Sequence, residues 1–134
     1  MSNALYGKGK EKLLSGSINL PSDTIKAALV SSSYTPNFST HEFYSDISAN
    51  VLDTPETLGS KTVTLGVFDA ADPTFVAVAA GSTAKAVVLY KDTGLASSSP
   101  LLAYIDTITG FPLATNGGDV AIQWDNGANK IFSL

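Results

Sequence analysis

The chain contains one histidine, His41, so any serine–histidine–aspartate relay would have to run through it. No G-x-S-x-G elbow accompanies it. His41 instead sits in Ser39-Thr40-His41-Glu42, the spelling of a helix capping box, and reads as a surface or loop-packing residue. His41-Glu42 does not open a zinc-binding helix, because Ser45 stands where the second histidine must be. Gly7-Lys8-Gly9-Lys10 has the residue types of a phosphate loop. It lacks the preceding strand, the glycine spacing and the Lys-Ser/Thr pair through which such a loop works.

The carboxylates are the other source of chemistry. Asp106, Asp119 and Asp125 fall near strand ends and turns, where three acids can converge. Calcium takes six to eight oxygens, often from loops gathered at one end of a β-structure. Asp125-Asn126-Gly127-Ala128-Asn129 offers oxygens without the calcium-loop spacing. Each Asp is therefore expected to shape a turn through its own backbone hydrogen bonds. A pair of acids for glycoside hydrolysis has no positive support. The expectation is a protein without catalytic residues, metal or cofactor.

The totals narrow the classes further. A length of 134 residues suits one domain, expected to span 1–134, with 1–16 as a terminal helix or an arm that orders against a partner. With no Cys, disulfides and thiolate metal sites are impossible. Net charge is −4 and every basic residue is Lys, so the bidentate arginine–guanine fork is missing and nothing draws phosphate; no nucleic-acid partner is expected. No apolar run approaches the ~20 residues of a membrane helix, and no apolar block follows Lys8, Lys10 and Lys12, so neither membrane nor signal peptide is expected.

The elements that must position these residues centre on 84–107. Lys85–Lys91 and Pro100–Asp106 read as two strands, each apolar on both sides, and hence covered on both sides. In the first, Ala86, Val88 and Tyr90 oppose Val87 and Leu89. In the second, Leu102 and Tyr104 are expected to oppose Leu101, Ala103 and Ile105. Upstream, 3–15 reads as a weak helix started by Asn3 and stopped by Gly16, with Leu5, Leu13 and Leu14 on one side. Gly7 and Gly9 argue against its strength. Residues 24–30 form a strand with Ile25, Ala27 and Leu29 inward and Lys26 outward. The polar stretch 31–60 is too long for a bare loop and should hold a helical turn carrying Phe43, Tyr44 and Ile47.

Downstream, Lys61–Phe68 alternates as one strand, with Val63, Leu65 and Val67 on one face. A turn over 69–73 and a short strand Thr74–Val78 follow. Residues 107–116 read as loop. Val120, Ile122 and Trp124 share a strand face, and Asn126-Gly127 should reverse the chain into a final hairpin closed by Lys130–Leu134. Short strands, frequent turns and no long helices predict a mainly β fold. The form expected is an antiparallel sandwich or jelly roll with a short N-terminal helix and a short helical turn in the long loop. Among the aromatics, Phe43 and Trp124 are expected in the core, while Tyr34 and Phe38 belong to either core or a contact patch.

The patterns ALYGKGKEKLLSGSINL, DTIKAALVSSSYTPNFSTHEFYSDI, VLYKDTG, LLAYIDT and WDNGANKIFSL occur in order over nearly the whole length. Together they resemble the small virion proteins of tailed bacteriophages, and within them the capsid cement, or decoration, proteins. The resemblance implies a non-enzymatic structural protein that is assembled in a host cytoplasm and sits on the capsid exterior. It implies the major capsid protein and further copies of itself, as a dimer or trimer, as partners. The alternative is a carbohydrate- or receptor-binding module on a tail or fibre. The contact residues expected on the cement reading are Leu5, Tyr6, Lys8, Lys10 and Lys12 of the N-terminal segment, with Tyr34 and Phe38 of the long loop.

Overall fold

Three strands that carry apolar side chains on both faces make the centre of the protein. In the computed structural model, which describes residues 4–108, 110–124 and 131–133, they are β2 (Ile25–Ser31), β7 (Thr83–Lys91) and β8 (Leu101–Ile105). Their neighbours are short: β1 (Ala4–Leu5), β3 (Glu56–Thr57), β4 (Thr62–Thr64), β5 (Val67–Asp69), β6 (Thr74–Phe75), β9 (Leu113–Ala114), β10 (Val120–Ala121) and β11 (Phe132–Ser133). Among the described residues, one α-helix, α1 (Gly7–Leu14), and two 3-10 turns, Tyr44–Asp46 and Ser48–Asn50, complete the elements. The fold is mainly β and the sheets are antiparallel. The main sheet runs β1-β8-β7-β2-β3, with β9 paired to the start of β7. A two-stranded sheet (β10-β6) and a three-stranded sheet (β11-β5-β4) stand beside it.

Each face of the main sheet buries its own apolar cluster. One face carries Ile25, Ala27 and Leu29 of β2 with Val87 and Leu89 of β7. They pack with Phe68, Phe75, Val120, Ile122 and Trp124 from the smaller sheets and the segment after β10. The opposite face carries Ala28, Val30, Ala86, Val88 and Tyr90, covered by Tyr6, Tyr34 and Ile47 from the N-terminal segment and the long loop. The expected alternation of β2 and β7 is therefore met, and Lys26 at the start of β2 pairs with Asp92 at 3.0 Å.

Strand β8 departs from it. The pairing register shifts between Leu89↔Ala103 and Tyr90↔Leu101, skipping Leu102. This bulge puts Leu102 in the same cluster as Ala103 and Ile105, while Leu101 shares the other face with Tyr104. The expectation that Leu102 and Tyr104 share a face is corrected by that extra residue.

Four further corrections have local causes. The stretch 61–68 is a hairpin, not one strand: Leu65 and Gly66 both have positive φ, +52° and +79°, between paired β4 and β5. This is the two-residue reversal that matches strand twist, with Leu where Asn or Gly is usual. Leu65 is consequently 98% exposed. Among the described residues β10 pairs with β6 and β11 with β5, rather than with each other as the expected last hairpin requires; its turn, Asn126-Gly127, lies outside the described residues. Residues 107–116 contain β9 rather than only loop. The N-terminal helix starts at Gly7 after a strand, so Leu5 belongs to β1, Leu13 packs against the core and Leu14 is 85% exposed. Asn3 lies outside the described residues, and the cap position is Tyr6 in extended conformation.

The docking of α1 explains its glycines. A Cβ at Gly9 would stand 2.4 Å from the Leu101 carbonyl oxygen, so the helix reaches β8 only because that position is bare.

Candidate functional site

The long loop and the N-terminal segment meet over the outer edge of β8. Strand β1 pairs Ala4 with Tyr104 and Leu5 with Ala103, and the Tyr6 amide donates to the Leu102 carbonyl at 2.9 Å. Further along that edge, Leu101 donates to Glu42 and Tyr44 donates to Ser99, both at 2.8 Å. The Lys12 ammonium joins the two segments through Glu42 at 2.8 Å. The expected helical turn is there, displaced from the capping-box spelling. The Ser39 and Thr40 amides donate to Asn37 Oδ1, and the turn begins only at Tyr44.

Asp46 holds this turn by accepting from the amides of Glu42 at 2.8 Å and Phe43 at 3.0 Å. Burial raises the Asp46 carboxyl, but the hydrogen bonds from the Glu42 and Phe43 amides favour the charged form, and the net shift is downward. Asp46 was legible only as an acid near a helical turn. Its capping role depends on where the turn starts, which the misleading Ser39-Thr40 pair obscured.

Beneath this edge lies an aromatic nest. Tyr6 is fully buried and Tyr34 nearly so, and their phenol oxygens are 2.7 Å apart. Tyr34 also lies 2.8 Å from His41 Nδ1, which accepts from the Asn37 amide at 3.2 Å. An amide can only donate, so Nδ1 is the bare nitrogen and the imidazole proton sits on Nε2. Tyr34 then donates to His41, and Tyr6 donates to Tyr34. Phe38 packs against Tyr6 and Tyr104 with ring centroids 5.2 and 6.0 Å away. Burial, followed by the bond to Tyr34, drives the Tyr6 phenol far above its ordinary value. Burial pushes Tyr34 up to about 12, against the lowering effect of the bond from Tyr6.

The residues of the expected contact set are placed as follows. Tyr6 and Tyr34 are enclosed, and Phe38 and Leu5 are half-buried against the two clusters. Lys12 is paired. Lys8 and Lys10 remain at the surface of α1, with Lys8 3.9 Å from Glu11. Phe43, expected in the core, is half-buried beneath the Lys12 ammonium, 5.4 Å from its ring centroid. Trp124 is core, as expected, and donates from Nε1 to the Ala71 carbonyl at 3.1 Å.

Asp119 accepts from the Ala77 amide at 2.9 Å, a turn-shaping bond, and Asp125 lies outside the described residues. Among the described residues, no group of three or more His, Cys, Asp or Glu is placed to hold a metal ion. An open groove of about 640 Å³ runs past Ser31, Ser33, Asn50, Ser82 and Thr115, with no charged or imidazole side chain in its lining. Thr115 Oγ1 is already bonded to both the amide and the carbonyl of Ser82. A scan of the chain against protein-family models matches none, and a search of the curated proteins returns no match.

Proposed function

We propose that this chain is a non-enzymatic structural protein of a tailed-phage virion, acting as capsid cement on the head exterior. The observation that carries the reading is the ordered resemblance to small phage virion proteins over nearly the whole sequence. The residues able to do chemistry support it by what they already do. His41 is engaged by Tyr34 and Asn37, Asp46 holds a turn, and Asp119 holds another. On this reading the small sheets stacked against one face of the main sheet make a β-sandwich of jelly-roll kind. The outer face of α1, with Lys8, Lys10 and Leu14, meets the major capsid protein, and other surface pairs with further copies. Many weak contacts repeated over a symmetric shell act together, so each can be modest.

The test is co-sedimentation of the purified chain with phage heads that lack it. Saturable binding in fixed ratio to the capsid protein, weakened by Lys8→Glu with Lys10→Glu, is the expected result. Binding to isolated tails but not to heads would move the protein to the tail or fibre. Binding to neither overturns the virion role.

A further inference from the structure

Among the described residues, strand β4 is the outer strand of the three-stranded sheet, and all three of its residues are exposed. The two-residue loop at Leu65-Gly66 fixes its hydrogen bonding. Thr64↔Val67 closes the hairpin as a bonded pair, Thr62↔Asp69 is the next, and Val63↔Phe68 between them is not bonded. The N–H and C=O of Val63 therefore point away from β5, and among the described residues no backbone group takes them up. The Val63 side chain shares the face of buried Phe68 yet is 47% exposed, because the sheet stops there.

Edge strands are ordinarily guarded by charge, above all by lysine. The sole charge in 59–68 is Lys61. Its ammonium is turned back onto the Asp23 carbonyl and does not guard the edge. The remaining sequence of the edge, Thr62-Val63-Thr64, reads the same in both directions. A two-fold contact requires a surface complementary to itself, and this triplet meets that requirement when run antiparallel about its middle residue.

We propose that a second copy of the chain pairs on this edge, β4 against β4, with the two-fold axis at Val63. Each Val63 amide donates to the partner copy's Val63 carbonyl. Each Thr62 faces the partner copy's Thr64, and the two Val63 side chains extend the apolar face that begins at Phe68. This names one self-association surface within the cement reading, but it does not require that the chain bind heads. Failure of head binding leaves the pairing intact, and failure of pairing leaves head binding intact.

The test is the mass of the pure chain by sedimentation equilibrium over a concentration series. The expected mass is twice the 13.9 kDa of the chain. Val63→Pro removes the outward amide without touching a hairpin bond, and Val63→Lys sets two like charges face to face across the axis. Both should sediment as single chains while keeping the native circular dichroism spectrum. A second readout uses the absence of native cysteine. Thr62→Cys and Thr64→Cys chains, mixed under oxidation, should join as a disulfide dimer, since facing non-bonded residues sit about 4.5 Å apart. Either variant alone should not join, because its diagonal separation of about 7–8 Å is beyond reach. A wild-type monomer, a three-fold assembly, a dimer that survives both Val63 substitutions, or a mixture that does not cross-link would each overturn the pairing.

Discussion

Tyr6 and Tyr34, 28 residues apart in the chain, share a 2.7 Å hydrogen bond inside the protein. The bond has a direction. The Asn37 amide forces His41 Nδ1 to accept, so Tyr34 donates onward and Tyr6 donates to Tyr34. Tyr34 is thus the middle member, with a partner on either side. Tyr34→Phe leaves the fully buried Tyr6 hydroxyl with no acceptor from Tyr34 and should cost about 1–3 kcal/mol. Tyr6→Phe leaves the Tyr34–His41 bond in place and should cost about 0.5–1.5 kcal/mol. Urea unfolding of both variants gives the order. A larger loss for Tyr6→Phe would reverse the direction of the chain.

The five tyrosines make stability depend on alkaline pH. Tyr6, Tyr34, Tyr44, Tyr90 and Tyr104 are all shifted upward, burial being the first cause in every case. A phenol in the unfolded chain ionises near pH 10. Below that value both states hold the proton and the contribution to stability is complete. Above it the unfolded state releases protons that the folded state retains, so stability falls as pH rises toward the folded values. Titration followed by phenolate absorbance should show each native tyrosine ionising at higher pH than in the unfolded chain, with Tyr6, the most deeply shifted, released only at the alkaline unfolding transition. A single phenolate titrating at its ordinary value before unfolding would contradict the packing of whichever ring it belongs to.

How far these features could be read beforehand depended on what fixed them. The faces of β2 and β7 follow from the two-residue period, because both sides of the strands are buried and any slip would expose a set. The face of Leu102 is not legible in the sequence, because a bulge is set by the pairing partner, and Val87–Tyr90 shows no local sign of it. The Leu65-Gly66 reversal was hidden because leucine is a poor residue for positive φ, so alternation through 61–68 looked continuous. Tyr6 and Tyr34 became buried partners through long-range docking of two segments on β8, which no local pattern encodes. The acids were easier: Asp119 is a turn former and behaves as one.

Gly9 tests whether α1 is limited by helix propensity or by docking. Propensity alone predicts that Gly9→Ala stabilises the helix by about 1 kcal/mol. The added methyl, however, meets the Leu101 carbonyl oxygen at 2.4 Å and the Leu102 Cα at 3.1 Å, both backbone atoms of a buried strand. Overpacking of that kind costs about 1–3 kcal/mol, so the net effect should be destabilising. Gly59→Ala is the control. Its Cβ meets nothing within 4 Å and its φ is not left-handed, so it should be neutral or slightly stabilising. Thermal melts of the two variants should move in different directions. A more stable Gly9→Ala protein would mean that α1 stands off β8.

Leu65 offers the opposite case, a residue whose replacement should improve the fold. It holds φ at +52° at the first central position of the β4–β5 hairpin, and its side chain is almost wholly in solvent, so no burial offsets the backbone cost. Asparagine tolerates that conformation and, followed by Gly66, makes the turn dipeptide most favoured between twisted antiparallel strands. Leu65→Asn should therefore stabilise the protein by about 1 kcal/mol, the scale of left-handed strain in a non-glycine residue. The gain should appear as slower amide exchange at Val67 and Phe68, next to the turn, with β2, β7 and β8 unchanged. Faster exchange in β5 after the substitution would show that Leu65 is held by something other than its own turn.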